Sequence, residues 1–428
     1  MKQARPSSQE QRGVLESAQE DVDVERTDGD WSQAGTGRDD KTWRNRISDE
    51  AKRMSKSFPP SWFMVVMGTS TTSAQLFKFP YQARWLHYLS YIIYGLAIFF
   101  FVLFVVLALI RCIQQPRVVR YFLDHPEKAM FLGAFSIAFA SIIDSCATIV
   151  NSTWGYNFTL FLWAMWMAAT ILSLAIGVGL PIVQFTSSEV MESTTSGAML
   201  LPMIGPIVAA GAGAALAELL PPAHARFTIC VSYVVMGTGF VMSLLTLGQY
   251  FNRLLAHEIP MSALTTTIFL PLGTLGQSNF SLLRLALELL QLTRKSGAAF
   301  VGISEFPPEN AETMALSVYG GSIAIGLMIW GMSLFWLIIA VSMLVDMWRV
   351  SRLSFTVGWW AFTFPLGTFC ASTSILAAMF NSEAFRVMGS MFAVSEIVVW
   401  LGVLFRTLCM LFQGDIVSPC HADVEKDS

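Results

Sequence analysis

Ten long apolar runs follow one another between about Phe58 and Phe412, and no soluble fold needs that pattern. A helix crosses the hydrocarbon core of a bilayer with roughly 20 apolar residues. The runs cover 58–78, 86–112, 128–150, 157–185, 199–219, 226–251, 264–290, 314–347, 355–380 and 386–413. Backbone polar groups inside a membrane must be satisfied internally, so the expected class is all-α. The odd-numbered runs carry helix-breaking Pro or repeated Gly that a plain lipid anchor would not. Irregular backbone at membrane depth is tolerated where it is buried in protein or lines something polar.

Composition agrees. The chain has 428 residues, 54% hydrophobic and only 13% charged. A soluble domain carries about 25% charged residues. The net charge of −3 gives no reason to expect a nucleic-acid partner. Cys112, Cys146, Cys230, Cys370, Cys409 and Cys420 are scattered without a Cys-x-x-Cys pair. They read as small core-filling residues rather than a disulfide framework or a zinc site. Residues 1–57 are polar and cannot bury enough apolar surface to fold alone, so a disordered cytosolic tail is expected there. That stretch has no secretory signal pattern, which leaves the first run as its own insertion signal. The membrane domain covers 58–413, and 414–428 form a short cytosolic tail. With the N-terminus inside, the inner face holds about twice as many Lys and Arg as the outer face. This puts both termini in the cytosol. It also puts the sequons Asn151-Ser152-Thr153 and Asn157-Phe158-Thr159 outside, so close to the membrane that occupancy is not expected.

Odd and even runs differ. The even ones are plain, as in 92–110 (IIYGLAIFFFVLFVVLALI). The odd ones hold Met67-Gly68-Thr69-Ser70, then Pro202-Met203-Ile204-Gly205-Pro206, then Pro271-Leu272-Gly273-Thr274, then Phe364-Pro365-Leu366-Gly367-Thr368. The third run fits less well, with Pro126 at its entrance and Gly133 following. Proline within a helix frees a carbonyl and bends the axis. Glycine lets backbones approach, and threonine can satisfy freed groups. For a single proline, tight packing is the commoner meaning. Alternation along the whole chain points to five helical hairpins, odd helices inside and kinked around a central pore. The expected pore-lining kinks are Gly68, Pro202, Gly205, Pro206, Pro271, Gly273, Pro365 and Gly367, with Thr69, Thr274 and Thr368 as polar contacts.

No His-Glu-x-x-His, phosphate-binding loop or Gly-x-Ser-x-Gly motif occurs, so neither an enzyme nor an ATP-driven pump is expected, nor any cofactor or metal. Ionisable residues at membrane depth are functional candidates by default. Here they are Asp144, Arg284, Glu288 and Glu396. Arg284 and Glu288 stand four apart, which favours a local ion pair. Glu396 suits pairing with a neighbouring helix, and Asp144 sits near a helix end. With no ring of basic residues, an anion would be stabilised by helix dipoles, backbone N–H groups and hydroxyls. Phe364, just before Pro365, could plug a narrow axis, although aromatic packing is the commoner use of such a residue.

Phe63-Met64-Val65-Val66-Met67-Gly68-Thr69 and Phe79-Pro80-Tyr81-Gln82-Ala83-Arg84-Trp85-Leu86 resemble the first hairpin of fungal sulfite efflux pumps. Pro271-Leu272-Gly273-Thr274-Leu275-Gly276-Gln277, Thr363-Phe364-Pro365-Leu366-Gly367-Thr368 and Phe385-Arg386-Val387-Met388-Gly389 resemble the same group. Those pumps belong to the tellurite-resistance/dicarboxylate transporter family, with yeast malate transporters and plant slow anion channels. The resemblance covers about 58–413. It implies ten transmembrane helices in five hairpins, a homotrimer, and a gating phenylalanine that the motif maps to Phe364, or to Phe362 if the register is shifted. It further implies plasma-membrane export of sulfite or hydrogensulfite, with malate or another C4 dicarboxylate as the alternative substrate. The partners expected are a small inorganic anion and the lipid bilayer.

Overall fold

The structure is a computed structural model that describes residues 58–150, 154–186, 196–256, 267–297, 310–350 and 355–413. The expected tails and Asn151 lie outside these residues; Asn157 is exposed near the start of a helix.

Among the described residues, ten long helices carry the fold. The five odd ones are α1 (Phe63–Phe77), α3 (Leu132–Val150), α5 (Leu201–Ala217), α7 (Leu270–Ser296) and α9 (Thr363–Phe380). The five even ones are α2 (Arg84–Gln114), α4 (Tyr156–Thr186), α6 (Pro222–Leu255), α8 (Ala311–Val350) and α10 (Glu383–Gln413). Each odd helix packs against its even successor, which makes five hairpins. The odd helices also pack on one another in the order α1, α3, α5, α7, α9 and back to α1, a closed ring. Each even helix covers the gap to the next ring member: α2 reaches α3, α4 reaches α5, α6 reaches α7, α8 reaches α9, and α10 closes on α1.

Burial follows from this arrangement. In α5 the most apolar stretch is 94% buried, whereas in α2 it is 17% buried. The outer helices present Phe99, Val102, Val106, Met328, Ile338 and Phe405 outwards, as lipid contact requires. Eight of the ten helices are long and apolar enough to cross a membrane. The other two are inner helices. The first, α1, has 15 residues, about 22 Å at 1.5 Å per residue. The other, α7, buries Gln277, Ser278, Asn279, Ser281, Arg284 and Glu288, which lowers its apolar content.

The prolines differ from expectation. Pro202 and Pro271 are the second residues of α5 and α7, and Pro365 is the third of α9. A first-turn N–H has no intrahelical acceptor, so proline there costs no hydrogen bond and bends nothing. Only Pro206 lies inside its helix. The 3₁₀ turns Gly197–Leu200 and Val357–Phe362 precede α5 and α9. Because those turns are as apolar as the helices they feed, the sequence reads each pair as one long kinked span. Pro181, meanwhile, lies within the outer helix α4.

The glycines sit where helices touch. A Cβ on Gly68 would strike the Thr363 side chain, one on Gly205 would meet Ser136 Oγ at 2.5 Å, and one on Gly367 would strike Thr71. On Gly273 it would stand 3.0 Å from Pro365 Cγ. These glycines therefore let ring members close on each other. Where the obstacle is backbone, nothing can rotate away: a Cβ on Gly133 would stand 2.6 Å from Leu201 C, and one on Gly276 2.8 Å from Phe369 N. Gly133→Ala and Gly276→Ala should each lower stability by about 1–3 kcal/mol. Gly95→Ala on α2, with nothing within 4 Å, should be neutral or stabilising by up to about 1 kcal/mol. Thermal unfolding in detergent checks this, and equal melting temperatures for all three variants would refute it.

Candidate anion pathway

Polar side chains hold the ring seams from within. Across α1–α3, Ser70 Oγ donates to Ser141 O at 2.9 Å. Across α1–α9, Gln75 Nε2 donates to Gly367 O at 2.8 Å. The Asn279 amide reaches Ser372 Oγ at 2.6 Å across α7–α9, and Ser281 Oγ reaches Ile207 O at 3.0 Å across α7–α5. Unpaired polar groups in hydrocarbon are costly, so these pairs define which faces must meet.

The three threonines singled out from the sequence are buried, and each hydroxyl lies within bonding distance of a backbone carbonyl. Thr69 reaches Val65 O at 2.7 Å and accepts from Trp400 Nε1 at 3.2 Å. Thr274 reaches Leu270 O at 3.0 Å. Thr368 faces Pro365 O at 3.0 Å and Gly273 O at 3.3 Å. Phe364 is 2% exposed and makes no ring–ring contact among the described residues. Phe362, two residues earlier, packs edge-on against Phe269 and Trp359 with centroids 4.8 and 5.2 Å apart.

The charged residues depart most from the sequence reading. Arg284 does not pair with Glu288 one turn along. Its Nη1 lies 3.3 Å from Asp144 Oδ1 and 3.3 Å from Thr148 Oγ1, both on α3. Helices α3 and α7 are not ring neighbours, since α5 stands between them, and the outside of α5 is covered by α4 and α6. The ion pair therefore crosses the ring interior. Lys78, the exposed residue that caps α1, lies within electrostatic range of Arg284, Asp144, Glu288 and Glu218 at the end of α5. Four of the five inner helices thus bring charge towards one place, Lys78 and Glu218 from helix ends and Asp144 and Arg284 from within their helices. The sequence reading did not single out Lys78 and Glu218 because each lies at the very end of an apolar run. No local signal distinguishes them from solvated end charges.

Beside this cluster, Tyr81 donates a hydrogen bond to Glu383, and Arg386 holds Glu383 at 2.7 Å and Asn381 Oδ1 at 3.2 Å. The bond to Glu383 raises the Tyr81 phenol above its ordinary range. Asn381 ends α9 in the left-handed conformation (φ 46°), which asparagine tolerates. Two segments singled out from the sequence, around Tyr81 and around Arg386, thereby meet and join the first hairpin to the fifth.

Residues 57–408 match the family model described as SLAC1, voltage-dependent anion channel. The chain belongs to this family. Among its relatives is the sulfite efflux pump SSU1 of Arthroderma otae, 33% identical over 82% of this chain and 90% of the relative. The SSU1 sulfite efflux pump of Candida albicans is 27% identical over 81% of this chain and 73% of its own length. The malic acid transport protein of Schizosaccharomyces pombe is 22% identical over 85% and 81%. Membership in this anion-channel family, together with eight helices able to span a bilayer, makes the chain a multi-pass membrane protein of an anion-transporting family.

Proposed function

We propose that this chain exports sulfite, as the hydrogensulfite anion, across the plasma membrane along the axis of the five-helix ring. One observation carries most of the weight: the Arg284–Asp144 pair spans the ring interior between helices that are not ring neighbours, with the charge of Lys78 within electrostatic range. A bundle core with no traffic through it is better packed with apolar residues than with an ion pair. The sulfite efflux pumps among the relatives support the choice of substrate.

In this reading all ten helices cross the membrane, with both termini cytosolic, and the subunit assembles as a homotrimer. The anion passes Phe364, whose burial without a ring partner suits a steric plug. The helix starts at Pro202, Pro271 and Pro365 present the positive end of a helix dipole, a weak attraction that suits passage better than capture. Thr69, Thr274 and Thr368 brace the lining through the carbonyls they face, and Gly68, Gly205, Gly273 and Gly367 set how closely its helices approach. At the far end Arg284 and Lys78 receive the anion.

The test is efflux of sulfite and of malate from preloaded proteoliposomes under one pH gradient. Sulfite flux well above malate supports the reading, and malate flux equal or greater overturns it. A dicarboxylate remains a second reading for a specific reason: Lys78 and Arg284 are close enough to repel one another electrostatically, which offers two cations for two carboxylates. If malate is the substrate, Lys78→Ala should reduce malate flux several-fold more than sulfite flux, as loss of one of two charge-assisted contacts implies. Equal reduction of both would count against the two-cation site.

A further inference from the structure

Glu396 lies on the outer helix α10, yet it is fully buried and faces inwards to α1 and α9. Its Oε1 is 2.5 Å from Thr72 Oγ1, and its Oε2 is buried without a hydrogen-bond partner. Thr72 Oγ1 also lies 2.8 Å from Gly68 O, the carbonyl one turn back. A hydroxyl has a single proton, and a carbonyl can only accept. If Thr72 gives its proton to Gly68 O, the short contact with Glu396 needs a proton from the carboxyl. If Glu396 were ionised, one anionic oxygen would be left bare at membrane depth, where an unpaired charge is the most expensive group to bury. Among the described residues no Lys, Arg or His lies within ion-pair distance of it. From α1 the carboxyl meets Thr72, from α9 it faces Gly367, and among the described residues the Cys370 thiol is the titratable group that senses its charge. The arrangement suits a neutral acid that donates to Thr72, which donates to Gly68.

We propose that Glu396 is a proton-binding site in the wall behind Phe364, and that its occupancy controls anion passage. A Cβ on Gly367 would stand 3.7 Å from Glu396 Cγ, and Phe364 is one turn before Gly367 on α9. With the proton bound, the seam between α1, α9 and α10 is dry and closed. Loss of the proton leaves a carboxylate that needs water or a cation, and admitting either parts the seam that holds the helix carrying Phe364. The flux half of this proposal rests on the transport reading above; the protonation half does not.

The experiment uses the full chain in lipid vesicles, with infrared spectroscopy and sulfite flux measured across a series of pH values. The wild type should show a protonated-carboxyl band at neutral pH that Glu396→Gln removes. Glu396→Gln, a neutral isostere, should lose the pH dependence of flux and stay at the level the wild type shows when protonated. Thr72→Val should move the wild-type profile along the pH axis without flattening it. Absence of a Glu396-dependent band overturns the proton site. A band with superimposable pH profiles for wild type and Glu396→Gln overturns the control of passage. A band without sulfite flux in any variant sinks the transport reading while the proton site stands.

Discussion

Phe364→Ala is expected to raise anion flux through reconstituted protein by at least about tenfold, the factor given by removing 1.4 kcal/mol of barrier. The ring is fully buried on the second residue of α9, just past the 3₁₀ turn Val357–Phe362. If it fills the axis, its removal opens the narrowest part. If it only packs, its removal leaves a cavity costing about 3–5 kcal/mol, with flux unchanged or lower. Flux and thermal stability measured together separate the two cases. Higher flux with a modest loss of melting temperature identifies a plug. A large loss of melting temperature without added flux identifies core packing. Phe362→Ala is the matching control. It removes two edge-on contacts, with Phe269 and Trp359, and should cost stability without opening the pathway.

Arg284→Gln is expected to be the most damaging single charge change in the molecule. Arg284 is 5% exposed and Asp144 16% exposed in the side chain. Removing the cation strands a largely buried carboxylate, which costs about 3 kcal/mol or more when the site is dry. Residual exposure of Asp144 softens that figure. The double variant Arg284→Gln/Asp144→Asn carries no stranded charge and should recover most of the stability. It should recover little of the flux, because the cation that meets the anion is still missing. If the double variant restored full flux, Arg284 would be a structural residue and the passage past it would have to be redrawn. If it were as unstable as the single variant, the pair would contribute something beyond its charge.

Much of the fold is legible in the sequence because the bilayer allows so few solutions. The plain run 92–110 and the glycine-rich runs around Gly205 and Gly273 differ in composition because one kind faces lipid and the other faces protein. That contrast is enough to sort helices into two layers. The boundary between a 3₁₀ turn and the α-helix after it is not legible, because Trp359, Trp360 and Phe362 are as apolar as the helix they precede. That is why Pro202 and Pro365 read as bends. Arg284 was found but misassigned. Its nearest acidic neighbour in the chain is Glu288, four residues on, whereas its partner Asp144 is 140 residues away. Closure of a ring brings distant residues together, and no periodicity records it. Phe364 and the three threonines remain expectations about a pathway whose burial and hydrogen bonds are now described.

The seam between α1 and α9 bears on how the protein is made. Gln75 finds its acceptor 292 residues later in the chain, and Thr72 meets Glu396 324 residues later. A ribosome delivers α1 to the membrane long before either partner exists. Until the fifth hairpin arrives, the Gln75 amide lacks the Gly367 carbonyl it binds and must be held by water, a chaperone or the insertion machinery. Biogenesis therefore has a single late committing step, and a chain stopped after α8 should be recognised as unfinished and degraded rather than stored as a four-hairpin intermediate.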